Sequence, residues 1–181
     1  MQHLSYFNQE SERLIYRKLH PLDLKIWVLF FEDRESLRFL GLDGSKSNEE
    51  MAKIWFEKQF VRYAESGTGM LAVIEKESQE MIGMSGVLLK ELNGLNEYEI
   101  AYSFRPEFRG KGYATEAAKH MCIYAQAHIE TDRFISIIHS ENEKSKNVAR
   151  KNGMTCLFQA EYMGMKVDVF GVSKASKFPE S

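Results

Sequence analysis

The stretch that most constrains this chain is "FRPEFRGKGYATEAAKHM", Phe104 to Met121. Pro106 interrupts an apolar-rich run, Gly110 and Gly112 bracket a lysine, and good helix formers follow. Proline ends ordinary strand pairing, and the alanine-rich continuation predicts a helix from about Ala114 to His128. The unit therefore reads as strand, glycine loop, helix. Spacing excludes two familiar phosphate loops. A Walker loop needs Ser or Thr after G-K, and neither lysine-flanking glycine provides that pattern, since Tyr113 follows Gly112. A dinucleotide fingerprint needs a third glycine where Thr115 stands. What remains is R-x-x-G-x-A, Arg109 to Ala114. Its physics still suits a pyrophosphate. Glycines let oxygens approach the main chain, the first amides of a helix lack partners, and the helix dipole favours an anion there. Arg109 and Lys111 add local positive charge.

The flanking patterns supply an α/β order. "RLIYRKL" alternates apolar and polar residues as a half-buried strand does, and His20-Pro21 ends it. "LDLKIWVLFFEDRESLRFLG" predicts one or two helices stopped at Gly41, and "SNEEMAKIWFEKQFVRYAES" a further helix capped by Asn48. "GMLAVIEK" and "EMIGMSGVLLKEL" predict a hairpin, with "NEYEIAYSF" as a third strand running to the loop. "RFISIIH" reads as a strand buried on both faces, as in a parallel pair. "SKNVARKN" is a short helix closed by Gly153, and "TCLFQAEYM" with "MKVDVFGVSK" a last hairpin turning near Gly164. The order β-α-α-β-β-β-α-β-α-β-β makes a mixed α/β layer. At 181 residues it is expected to be one domain over 1–181, with its core at about 13–174.

A net charge of −2 suggests no broad nucleic-acid or membrane surface. No apolar run approaches the ~18 residues that span a bilayer, and "MQHLSYFNQESERL" has no secretory pattern. Cys122 and Cys156 lie far apart and are expected to be reduced and buried, in a cytoplasmic protein. The histidines show no zinc spacing, so no metal is expected. His20 and His139 read as structural residues or substrate contacts. A monomer or homodimer is expected.

Three ordered motifs resemble those of the GNAT superfamily of N-acetyltransferases. "FRPEFRGKGYATEA" resembles its motif A. The closer likeness is to the RimJ/RimL-like branch, whose opening strand is resembled by "SERLIYRKL" and whose later motif is matched by "NEKSKNVARKNGM", Asn142 to Met154. The resemblance spans roughly Arg13 to Lys174. It implies a GNAT fold: a central twisted, mostly antiparallel sheet with one splayed parallel pair and helices on both faces. It also implies acetyl-CoA as co-substrate. The pyrophosphate would rest on the main-chain amides of Arg109, Gly110, Lys111, Gly112, Tyr113 and Ala114, with Thr115 at the edge. The pantetheine would add along the strand edge at Tyr102, Ser103 and Phe104. Asn142 and Ser145 match positions that approach the pantetheine and the thioester sulfur, although Asn142 also reads as a helix cap.

Acetyl transfer to an amine requires the amine to lose a proton, the thioester carbonyl to be polarised and the thiolate to be helped away. Glu99 is the candidate base; alternation puts it on a strand face with Glu97, Ala101 and Ser103, opposite Tyr98, Ile100, Tyr102 and Phe104. The Phe104 amide is the candidate donor to the carbonyl. Many family members carry a tyrosine acid four residues before the glycine that ends the last short helix, and here that position is Ala149. Ser145 is then the candidate, with Tyr102, Tyr113 and Tyr162 as fallbacks. The acceptor site is expected between the N-terminal helices and the last hairpin. Glu32, Asp33 and Glu35 read as attracting an amine or as a solvated face, and Trp27, Phe30, Phe31, Trp55 and Phe56 as core or pocket wall. The implied activity is transfer of an acetyl group to a primary amine in a ternary complex, the acceptor being a protein N-terminus or a small molecule such as a polyamine, amino acid or antibiotic. A non-catalytic acetyl-CoA sensor is the alternative of a different class.

Overall fold

The computed structural model describes residues 4–42 and 44–176. Eight strands form one sheet in the order β1-β2-β3-β4-β5-β6-β8-β7. They are β1 (Asn8–Glu10), β2 (Leu14–Arg17), β3 (Gly69–Glu75), β4 (Met81–Leu92), β5 (Leu95–Phe104), β6 (Arg133–His139), β7 (Thr155–Tyr162) and β8 (Met165–Ser173). Every neighbouring pair is antiparallel except β5–β6, which is parallel. This is the GNAT fold, a mixed α/β architecture with helices around the sheet. Strand β1 is an addition to the expected order: its residues, Asn-Gln-Glu, carry no hydrophobic alternation, and it is held by pairing to β2.

The N-terminal helical region is more broken than expected. Two short α-helices, α1 (Leu24–Trp27) and α2 (Arg34–Leu37), alternate with 3₁₀ turns at Pro21–Asp23 and Val28–Glu32. Asp33 leaves the helical region at φ −79° and ψ 80°. The pieces are held by tertiary contacts instead of a continuous ladder. Trp27 stacks on Phe30 with centroids 4.4 Å apart, and Phe30 and Phe31 each lie 6.0 Å from Trp55. Burying each such ring stabilises the fold by about 1.5–3 kcal/mol. Arg17 clamps the buried Asp23 carboxylate with bonds of 2.7 and 2.8 Å.

Helix α3 (Asn48–Glu65) is capped one residue earlier than expected. Ser47 Oγ accepts from the Glu50 N–H at 3.2 Å, and Glu50 Oε2 accepts from the Ser47 N–H at 2.8 Å, a reciprocal capping box. Both Ser47 and Asn48 are good capping residues; the glutamate three positions on selects the serine. Gln59 docks the helix on β3 by accepting from the Met70 N–H at 3.0 Å. On the other face of the sheet lie α4 (Tyr113–His128) and α5 (Glu143–Lys151). Ala117, Ala118, Met121, Cys122 and Ala125 line the buried side of α4. Lys146 of α5 reaches Asp168 of β8 at 2.6 Å, both largely buried, which fixes α5 over the sheet.

Candidate active site

The parallel pair does not run as a full ladder. β5 and β6 register at one residue pair, Glu99↔Ile135. Arg105 N–H donates to Ile82 O at 3.0 Å, so the alternation of an antiparallel ladder turns the N–H and C=O groups of Phe104, Tyr102 and Ile100 away from β4 and toward β6. Side chains take up part of that edge. Ser136 Oγ donates to Ile100 O at 2.8 Å, and Arg109 Nε donates to Phe104 O at 2.8 Å. The result is a gap that opens from Glu99 toward the glycine loop, with main-chain groups along one side.

At its outer end stands the N-terminus of α4. Gly112 occupies the cap position at φ 85° and gives the helix no capping side chain; Gly110 lies at φ 78°. Side-chain-bearing residues rarely adopt this region. A Cβ on Gly110 would meet nothing within 4 Å, while one on Gly112 would lie 3.3 Å from an Arg13 guanidinium nitrogen. The loop thus presents its backbone to open space and is braced from behind. Arg13, in the bend before β2, donates to Lys111 O at 3.0 Å and to Glu116 Oε2 at 2.7 Å. Glu116, in the first turn of α4, also accepts from the Arg13 N–H at 2.8 Å and Ser11 Oγ at 2.7 Å. Burial alone would raise its pKa, but these bonds and the Arg13 charge outweigh it and hold the carboxyl below its ordinary value.

At the inner end, a cavity of about 220 Å³ lies between α3, the segment before it, the gap and the β7–β8 hairpin. Glu99 is on its wall. Its Oε1 accepts from the Ile137 N–H at 3.4 Å, and Lys90 Nζ is 3.8 Å from its Oε2. Burial raises the Glu99 pKa above that of an ordinary glutamate, against the opposing pull of Lys90, the Ile137 N–H and Arg62. A carboxylate of raised basicity at the end of a cavity is suited to taking a proton. Tyr102 reaches the cavity from the opposite face of β5. Its hydroxyl lies 3.0 Å from both Ser145 O and Ser145 Oγ, and burial pushes its pKa to about 12. Asn142 caps α5, its Oδ1 accepting from the Ser145 N–H at 3.1 Å, and lines the same cavity.

The Acetyltransferase (GNAT) domain family matches residues 13–155. The chain belongs to the GNAT acetyltransferases. It is an N-acetyltransferase. Among its relatives is the spermidine N(1)-acetyltransferase of Escherichia coli (strain K12), 30% identical over 151 residues that cover 76% of this chain and 72% of the other. An uncharacterized N-acetyltransferase of Bacillus subtilis (strain 168), YnaD, is 27% identical over 144 residues, 80% of each chain. The fold superposes on RimL, a ribosomal L7/L12 alpha-N-protein acetyltransferase in complex with coenzyme A, with a TM-score of 0.72 at 20% identity, covering 90% of this chain and 95% of that one.

In this acetyltransferase the residues expected around the gap come together in part. Glu99, Tyr102, Ser103, Asn142 and Ser145 all line the cavity. Phe104, Gly110, Lys111, Gly112, Tyr113, Ala114 and Thr115 lie on the strand end, loop and first turn of α4. Arg109 points elsewhere: besides Phe104 O its guanidinium meets Asp33 and lies 5.9 Å from the Phe30 ring centroid, tying the loop to the N-terminal aromatics. Asp33 is thereby engaged with Arg109, and Glu32 is exposed and outside the cavity lining. The Glu35 side chain lies outside the described residues. Tyr113 donates its hydroxyl to Glu75, away from the cavity, and Tyr162 accepts from Lys90 Nζ at 3.2 Å. Trp27, Phe30, Phe31 and Phe56 are core, whereas Trp55 is half-buried and lines the cavity. His20 Nδ1 accepts from the Leu22 N–H at 3.3 Å and caps a turn. Cys122 is buried, its thiol pushed up to about 12 by burial, but Cys156 is exposed because β7 is an edge strand. Sequence reasoning passed over Arg13, Glu116, Lys58, Arg62 and Lys90. The first two sit inside the quoted motifs, "SERLIYRKL" and "YATEA", which was the available signal.

Proposed function

We propose that this enzyme transfers an acetyl group from acetyl-CoA to a primary amine by direct attack while both are bound, with Glu99 as general base. The observation that carries this is the buried Glu99 carboxylate, of raised pKa, on the cavity wall where the gap closes. The chain's residues fit the cofactor: a helix N-terminus with no capping side chain, two positive-φ glycines of which Gly110 faces open space, and a strand edge turned toward the gap. Bound acetyl-CoA supplies an electrophilic thioester carbonyl and a thiol leaving group. The amides of Gly110 to Thr115 receive the pyrophosphate, and Arg13 and Glu116 hold them in place. The Phe104 N–H, facing the gap, donates to the carbonyl oxygen. Glu99 takes the proton that the attacking amine must lose, and the departing thiolate needs one proton, so the charge balances over the reaction.

Tyr102 and Ser145 act on the sulfur side as hydrogen-bond donors. A phenol with a pKa of about 12 remains protonated at working pH, yet it is a weaker acid than a thiol of about 8.5. Its part is to orient and stabilise the sulfur, and the thiolate takes its proton from solvent or by return from Glu99. The RimJ/RimL-like motifs and the likeness to RimL support a protein N-terminal amine as acceptor, and the likeness to the spermidine enzyme supports a small one. Coenzyme A release from acetyl-CoA over a panel of peptides, amino acids, polyamines and aminoglycosides tests the reading. Turnover with one amine class is expected. Tight acetyl-CoA binding without turnover on any amine indicates a sensor, and failure to bind acetyl-CoA removes the proposal.

A further inference from the structure

We infer that Lys58 and Arg62 of α3 recognise an anionic group on the acceptor, so that the preferred amine carries a carboxylate close to its nitrogen. This rests on the amine-acetylating reading of the same cavity and narrows its substrate class. The charged side chains on the cavity wall are Lys58, Arg62, Lys90 and Glu99, with His139 beside them. Lys90 is engaged: it lies 3.8 Å from Glu99 and donates to the Tyr162 hydroxyl. His139 Nδ1 accepts from the Glu141 N–H at 3.1 Å. Lys58 and Arg62 have no hydrogen bond or ion pair to their side-chain nitrogens among the described residues. They stand four positions apart, on one face of α3, where two like charges destabilise a helix unless something shares them.

Their position over the cavity is not a matter of chance rotation. Gln59, between them, is buried and holds the helix to the Met70 N–H at 3.0 Å. With the helix fixed this way, the exposed Lys58 ammonium and the half-buried Arg62 guanidinium match a carboxylate, which the planar fork of arginine binds with two bonds. A polycationic acceptor would face Lys58 and Arg62, and Glu99, the one carboxylate on the described wall, already feels the Arg62 charge and is the group that must take the proton. Two sources share this chemistry: the α-carboxylate of a free amino acid, and an acidic side chain near the N-terminus of a peptide.

The test compares leucine with leucinamide, the peptide Ser-Glu-amide with Ser-Gln-amide, and spermidine, by coenzyme A release. Calorimetry of N-acetyl-leucine and N-acetyl-Ser-Glu-amide binding to the protein without cofactor gives a readout independent of turnover. The wild type is expected to favour one carboxylate-bearing acceptor over its amide by about tenfold or more in kcat/KM; which pair shows the preference identifies the source. Arg62→Gln and Lys58→Gln should lower the carboxylate-to-amide ratio of kcat/KM, mainly through KM for the carboxylate, and weaken binding of the acetylated carboxylate; the ratio is the readout because the Arg62 charge also bears on Glu99. Preference for spermidine or for the amides, or a preference that survives the double substitution, overturns the inference while leaving acetyl transfer intact. Absence of turnover with every amine overturns acetyl transfer instead, and the calorimetric comparison still decides whether Lys58 and Arg62 bind the carboxylate.

Discussion

The two ends of the gap between β5 and β6 are built from different materials. At the outer end the groups offered to a ligand are main-chain amides, and the two nearby arginines are paired, Arg13 with Glu116 and Arg109 with Asp33, while Lys111 Nζ lies 5.2 Å from the Phe108 ring centroid. At the inner end the groups are side chains from α3, β4, β5 and α5, and two of the cations, Lys58 and Arg62, are left without partners among the described residues. A backbone cradle does not depend on side-chain identity, so it suits a ligand part that never changes. A wall of side chains is altered one residue at a time, so it suits the part that distinguishes one enzyme from another. Binding of the cofactor and choice of acceptor are therefore separable in this molecule.

The largest effect on cofactor binding is expected at the outer end. Gly112→Val forces a β-branched residue to φ 85° with its Cβ against Arg13, at a strain of about 1–3 kcal/mol, and so disturbs both the loop backbone and the brace that positions the amides. Calorimetric titration should show acetyl-CoA affinity lost by about a hundredfold or more, with the sheet retained by circular dichroism; unaltered affinity would remove the loop from the cofactor site. Next, Glu99→Gln should lower kcat/KM by roughly 10²- to 10⁴-fold, the usual contribution of a general base, while acetyl-CoA binding stays near wild type. The sign for stability runs the other way. The raised pKa means that the folded state binds the proton more tightly, so the wild type loses stability as pH rises from the ordinary glutamate value through the raised one. The glutamine variant escapes that loss, and its Tm relative to the wild type should rise with pH.

A smaller effect, about tenfold in kcat, is expected for Tyr102→Phe, measured beside an unchanged Kd for acetyl-CoA; a fall in cofactor affinity alone would make the hydroxyl a packing contact. Smallest in its effect on turnover should be Glu116→Gln, which keeps the shape of the brace; it is read in stability, where its charge-assisted bonds weaken by about 1–3 kcal/mol in total. Because the Glu116 pKa is lowered in the folded state, its contribution is present above the ordinary glutamate value and lost as pH falls through the lowered one. The variant and wild type should therefore converge in Tm on acidification.

Much of the outer end was legible in the sequence because it depends on local rules. "RFISIIH" became β6 at Arg133–His139 with the predicted bounds, and the last hairpin turns at Met163–Gly164 as expected. Proline, glycine and the strand-to-helix order locate the loop from the sequence alone. The acceptor wall was not legible in the same way. No local pattern singles out Lys58 and Arg62; the docking of Gln59 on β3 shows which way that part of α3 points. Arg109 read as a phosphate ligand because its partner Asp33 is distant in sequence, and only tertiary packing brings the two together. The broken helices between Pro21 and Leu37 follow the same rule, since their order comes from aromatic contacts with Trp55 and not from propensity.

The most direct test is the pH dependence of kcat/KM, with a responsive amine, for the wild type and Glu99→Gln side by side. The wild type should lose activity on the acid side with a midpoint above the ordinary glutamate value of about 4.3, and the variant should be slow throughout and lack that limb. Superimposable profiles at equal rates would contradict the assignment of Glu99 as the base.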